Sequence, residues 1–195
     1  MPGQNLTRVE AEARAAIVTT HSYNVVLDLT TSETTFHSIT TINFSATEGA
    51  ETFVDLIAES VEAITLNGAP VDTATFADSR IQLTGLAAEN ELVVDATCVY
   101  SNTGEGLHRF VDPADGEVYL YSQFEVADSR RMFAVFEQPD LKATFAFTVT
   151  APAHWEVLSN QQGVKSETDG DTATWVFPAT EVISCYITAL VAGPY

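Results

Sequence analysis

Two side chains stand out for the chemistry that their spacing allows. Gln123 and Glu125 lie two residues apart in the run Tyr119-Leu-Tyr-Ser-Gln-Phe-Glu125. Period-two alternation puts Tyr119, Tyr121, Gln123 and Glu125 on one face of a strand, and Leu120, Ser122 and Phe124 on the other. A carboxylate and an amide aimed the same way can receive an ammonium group, because a protonated amine needs acceptors and both residues carry them. Spacing alone also fits a solvated edge carboxylate, the commoner fate of a charged side chain. Asp128, Arg130 and Arg131 follow at once as a charged knot, and Asp140 closes the stretch. Asp128, Arg130 and Asp140 read as structural support, an ion pair or hydrogen-bonded brace that positions the loop.

Other chemistries lack their residues. His21, His37, His108 and His154 are scattered, and none pairs with another at the HExxH spacing of a helical zinc site. Cys98 and Cys185 have no CxxC partner and sit in apolar runs, so two buried free thiols are expected rather than a disulfide or a metal site. No GxGxxG, Walker loop or GxSxG elbow occurs. With 8 basic and 27 acidic residues the net charge is −19, which repels phosphate backbones and anionic membrane surfaces; neither nucleic acid nor membrane is an expected partner. No apolar leader and no stretch of transmembrane length is present, so cytoplasmic residence is the expectation.

The elements that must position Gln123 and Glu125 are mostly strands. Thr7-Arg-Val-Glu10 is a capping box, which predicts a short N-terminal helix over about residues 7–17. Alternating runs follow at Tyr23 to Leu29, Phe36 to Phe44, Thr52 to Ile57 and Val61 to Leu66. The last enters Asn67-Gly68, a two-residue hairpin signal, and returns through Pro70-Val71. Glu91 to Tyr100 is a long strand, and Lys142 to Thr150 buries Ala143, Phe145, Phe147 and Val149. Trp155 to Leu158 and Ala173 to Phe177 look like a pair, both tryptophans in the core, and Val182 to Val191 like a last long strand. Short strands with regular turn punctuation predict an all-β fold, an antiparallel, saddle-like β-sandwich with a short N-terminal helix. A single domain over residues 1–195 is expected: a helical segment at 1–20, the sandwich at 21–191, and the start of a linker at 192–195.

The chain resembles the aminopeptidase N family of zinc peptidases. The resemblance is carried by Gln123-Phe-Glu125, Asp128-Ser-Arg130, Phe136-Glu-Gln-Pro139-Asp140-Leu-Lys-Ala143 and Ala151-Pro152. It extends to Gly106-Leu-His-Arg-Phe-Val-Asp-Pro113, Val157 to Asn160 and Ile183 to Ala189, with Val126, Ser129 and Glu137 departing from the family's usual residues. It implies an N-terminal domain in which Glu125 holds a peptide's α-ammonium and Gln123 forms the adjacent wall. Zinc and the cutting machinery would belong to an absent catalytic domain, the domain's own partner alongside the peptide substrate. Without that domain the chain is expected to be inactive. The resemblance also implies a non-proline cis peptide at Glu125–Val126, and an apolar face turned to the catalytic domain, for which Met132 to Phe136 is the candidate; Met132, Phe133 and Phe136 read as core or domain-interface packing. A free-standing β-sandwich binding or scaffold module, without enzymatic activity, is the alternative.

Overall fold

The computed structural model describes residues 5–166 and 168–195. The capping box forms as expected: Glu10 N–H donates to the Thr7 hydroxyl at 3.3 Å, and the Glu10 carboxylate accepts from Thr7 N–H at 2.8 Å. It opens α1 (Arg8–Ala15). The strands that follow are β1 (Val18–Asp28), β2 (Thr35–Ala46), β3 (Thr52–Asp55), β4 (Ser60–Leu66), β5 (Ala69–Val71), β6 (Phe76–Ala77), β7 (Arg80–Leu83) and β8 (Glu89–Val99). The second half adds β9 (Gly106–Val111), β10 (Val118–Gln123), β11 (Thr144–Pro152), β12 (Glu156–Ser159), β13 (Val164–Lys165), β14 (Thr172–Phe177) and β15 (Leu190–Gly193).

Among the described residues the strands form three sheets. The large one runs β13-β14-β11-β1-β2-β8-β4-β5, a second runs β12-β15-β10-β9, and a third β3-β7-β6. The all-β expectation holds, and so does the hairpin: Asn67 and Gly68 take φ of 54° and 76°, the paired positive values of a type I′ turn. Alternation placed the core faces correctly. Phe36, Ile42 and Phe44 of β2, Leu92, Val94 and Cys98 of β8, and Phe145 and Phe147 of β11 are all buried.

Pairing is where the structure differs from the sequence reading. β1 and β11 pair in parallel, within sheets that are otherwise antiparallel. Trp155 to Leu158 and Ala173 to Phe177 do not pair: β12 joins β15 in the second sheet, whereas β14 lies between β11 and β13 in the large one. The polar loop between them is long enough to change sheets, and alternation marks a strand without naming its neighbour. Val182 to Val191 is not one long strand. Ser184 donates its hydroxyl to the Pro139 carbonyl at 2.6 Å, and Cys185–Ile187 then turns as a 3-10 helix. β15 carries on through Ala192 and Gly193, where the sequence suggested the start of a linker.

Helix α1 is fastened by one side chain. Arg14 is among the largest fully buried residues; its Nη1 donates to Asp55 Oδ2 at 2.9 Å and its Nε to Gln138 Oε1 at 3.0 Å. The Phe53 ring lies against both guanidiniums, 4.9 Å from Arg14 and 4.0 Å from Arg80. Asp55 accepts in addition from Glu137 N–H at 3.2 Å, so the pair ties helix, third sheet and the 129–138 segment together. Arg14→Met alone leaves the buried Asp55 carboxylate with only Arg80 Nε, at 4.0 Å, as a counter-ion and is expected to lower stability by about 3–5 kcal/mol in urea denaturation. Arg14→Met combined with Asp55→Asn, which keeps an acceptor for Glu137 N–H, should recover much of that loss. Equal losses in the single and double variants would show that the pair does not act as a unit.

Candidate functional site

β10 ends at Gln123, and the next five residues turn the chain back toward the core. Phe124 anchors this reversal: it is buried and meets Phe133 edge-on at 6.1 Å between centroids. Its neighbours are consequently held outward. Gln123 and Glu125 are both exposed, and the Gln123 Oε1 accepts from Glu125 N–H at 3.2 Å, which fixes the two relative to each other. The Glu125 carboxylate forms no ion pair among the described residues and faces solvent. It is neither tucked inward nor matched to an arginine.

The charged knot is sorted differently from its spacing. Asp128 accepts from Arg131 Nε at 2.6 Å, and Arg131 also reaches Glu105 at 3.2 Å. Arg130 is buried; its Nε donates to the Ala127 carbonyl at 2.9 Å and its Nη2 to Asn5 Oδ1 at 3.2 Å. Asp140 is exposed and accepts from Gln138 Nε2 at 3.3 Å. Gly106 makes the fold-back possible. It sits opposite Gln123 in the β9–β10 register with φ of 63°, and a Cβ there would lie 2.7 Å from the Arg131 Cβ. The non-proline cis peptide is Val126–Ala127, one residue beyond the Glu125–Val126 bond that the resemblance implied. Alternation carries no information on peptide geometry and could not have located it.

Under the loop runs a segment that is buried throughout. Met132 to Phe136 lies in the core, so of the two readings of Met132, Phe133 and Phe136 core packing holds, and the segment is not the exposed apolar face. Ser38, Thr40 and Tyr23 turn their polar atoms to this segment's backbone, and contact with the sheet leaves no face free. The exposed apolar face lies instead on the outer side of the second sheet. Register aligns Leu158, Val191, Tyr121 and His108 in one row across its strands, with Tyr119 and Phe110 paired in the next. Leu158 is 58 %, Phe110 46 % and Tyr121 42 % exposed, and the Tyr195 ring packs on Tyr119 at 5.3 Å. Gln123 continues the outward face of β10, at the end of this surface.

Glu137 supports the loop from below. One oxygen accepts from the Ser129 hydroxyl at 2.5 Å and from Arg130 N–H at 2.7 Å, the other from the Cys185 thiol at 3.3 Å. Burial holds its carboxyl above the usual carboxylate range, against the opposing effect of those hydrogen bonds. Cys98 and Cys185 are free and buried as expected; burial pushes the Cys98 thiol up to about 12 and raises Cys185 as well. Among the described residues no three His, Cys, Asp or Glu come together as a metal site, and no helix is long and apolar enough to cross a membrane.

The peptidase M1 N-terminal domain family matches residues 19–187. The chain belongs to that family. It is 54 % identical to aminopeptidase N of Streptomyces lividans over its whole length, covering 23 % of that protein. It is 41 % identical over 48 % of its length to probable M1 family aminopeptidase 1 of Encephalitozoon cuniculi, and 30 % identical over 55 % to aminopeptidase M1-A of Oryza sativa. It covers 11 % and 12 % of those two proteins, so this M1 domain spans about a quarter or less of these three relatives.

Sequence reasoning passed over Arg14, Asp55 and the role of Glu137. A lone arginine in the last turn of an alanine-rich helix gives no sign that it will be buried, and its partner is 41 residues away. Glu137→Gln keeps an acceptor for Ser129 and Arg130 N–H but removes the titration. Because the folded-state pKa of Glu137 is raised, its ionisation weakens the fold as pH climbs past the unfolded value near 4.5. Glu10 carries the opposite sign: the Arg80 guanidinium holds it down to about 2, so its contribution is lost as pH falls below 4.5. That term is common to both proteins and cancels in their difference. The Tm of Glu137→Gln minus that of the parent should therefore rise between pH 4.5 and 7; a difference independent of pH would refute this.

Proposed function

We propose that this domain supplies the amine anchor of a zinc aminopeptidase, with Glu125 holding the substrate's α-ammonium and Gln123 forming the adjacent wall. The observation that carries this reading is an outward carboxylate without an ion pair among the described residues, on backbone that the Gln123 side chain holds, at the end of an apolar sheet face. Asp128, Arg130 and Asp140 support the loop rather than touch the substrate.

The apolar face gives the anchor its strength. In bulk water, opposite charges 4 Å apart attract by only about 1 kcal/mol, rising to about 4 kcal/mol at an effective dielectric constant near 20. Covering the second sheet's outer side with a catalytic domain would exclude water around Glu125 and place the anchor at a domain junction. An anchor at a fixed distance from the cutting machinery admits only the first peptide bond, which is the property of an exopeptidase. The zinc that the resemblance implies finds no ligand set among the residues described here and would be held by the remainder of the enzyme.

The test is Glu125→Ala in the intact enzyme, or the same change in the Streptomyces lividans relative. Loss of a hydrogen bond to a charged group should lower kcat/KM by about 1.5–3 kcal/mol, roughly 10- to 150-fold. An unchanged kcat/KM on a peptide with a free amino terminus would overturn the anchor. The isolated domain supplied with zinc should not hydrolyse an aminoacyl anilide; turnover there would place the cutting machinery within these residues and refute the division of labour.

A further inference from the structure

The cations of this chain are few, and most have partners. Arg8 pairs with Glu12, Arg14 with Asp55, Arg80 with Glu10, Arg131 with Asp128 and Glu105, and Lys165 with Glu156. Arg109 differs. In a chain with 27 acidic residues, its guanidinium has no ion pair or hydrogen bond among the described residues. Nor is it a freely solvated surface cation. In the β9–β10 register it lies opposite Leu120, which is fully buried, so it projects from the inward face of the second sheet and is itself half-buried.

Arg109 lines two adjoining cavities of about 700 Å³ and 450 Å³, which share Glu33, Tyr100 and Arg109. Both volumes lie in the range of small-molecule sites. Tyr100, Val118 and the buried Trp155 give the larger cavity an apolar wall, and the Tyr100 hydroxyl is held by the Leu29 carbonyl at 3.3 Å. A half-buried guanidinium without a counter-ion is unfavourable, and a planar carboxylate matches its fork. Glu33 and Asp171 also line the larger cavity, and their charge disfavours a dianion such as phosphate.

We propose that this groove binds the α-carboxylate of a free amino acid or of a short peptide's C-terminal residue. Arg109 holds the carboxylate, while Tyr100, Val118 and Trp155 pack the ligand's apolar side chain. Glu33 offers the ammonium of a free amino acid its counter-ion. The proposal stands apart from the amine anchor, since Glu125 and Gln123 line neither cavity.

Calorimetric titration of the whole chain with three probes tests it: phenylalanine, N-acetylphenylalanine and phenylalaninamide. The two carboxylates should bind saturably with a Kd of about 1 mM or tighter, and the amide should not. Arg109→Gln should weaken binding about ten-fold or more, the worth of a hydrogen bond to a charged group. Arg109→Lys, a gentler change that keeps the charge and loses the fork, should fall between. Tighter binding of phenylalanine than of its N-acetyl form, abolished by Glu33→Gln, assigns the free amino acid; equal binding assigns the peptide C-terminus. Glu125→Gln should leave all of this unchanged. No saturable binding of either carboxylate, equal binding of the amide, or indifference to Arg109→Gln would overturn the proposal. Loss of binding in Glu125→Gln would do so too, because the probes would then be reporting the anchor.

Discussion

Irregular backbone that runs through a protein core must find hydrogen-bond partners that no ladder supplies. Residues 129–138 set that constraint, and much of the buried polar chemistry of this domain answers it. Ser38 donates to the Met132 carbonyl at 2.9 Å, Thr40 accepts from Ala134 N–H at 3.2 Å, and the Tyr23 hydroxyl accepts from Phe136 N–H at 3.3 Å. Asp55 exchanges backbone bonds with Val135 at 2.8 and 3.0 Å, and its carboxylate takes Glu137 N–H. That carboxylate in turn requires Arg14, and Arg14 brings α1 with it. Hydroxyls on inward faces of strands, a buried ion pair and a docked helix thus go with one stretch of chain that is not a strand.

The same stretch explains why Gln123 and Glu125 are placed so definitely. On one side β10 pairs with both β9 and β15; on the other, Phe124 and the segment from Ser129 onward are locked in the core. Only about four residues between them are free to follow solvent, and Gln123 and Arg131 brace these from either end. The backbone that carries Glu125 is held this way, so a ligand binding there would find that backbone already ordered.

What the sequence disclosed depended on the range of each interaction. Local rules gave the capping box at Thr7, the Asn67-Gly68 turn and the inward faces of β2, β8 and β11, because each is settled within a few residues. They gave the outward aim of Gln123 for the same reason, alternation being a property of one strand; Glu125 lies past the end of β10, in a turn, and is exposed because Phe124 beside it is buried. Partners were not legible: the parallel β1–β11 pair, the separation of β12 from β14 and the burial of Met132 to Phe136 depend on residues distant in sequence. The apolar run at 132–136 shows the difference well. Hydrophobicity announced a covered surface, but whether this chain or another domain covers it is a matter of topology. The surface that is left open, from Leu158 across Tyr121 to Phe110, is spread over three strands that no local window contains.

A net charge of −19 creates a broad attraction for cations over the whole surface, so negative potential alone cannot distinguish one carboxylate as a receptor. Most of these acids are ordinary solvated groups, and exposed pairs such as Arg8 with Glu12 contribute little. Glu125 is set apart by its surroundings instead: fixed backbone, a neighbouring amide and an apolar sheet face whose covering would lower the local dielectric. Arg109 is its converse, a lone cation turned inward where acids abound. Both are charges that the described residues leave without an ion pair, and in each case the geometry around the charge, rather than its sign, is what singles it out.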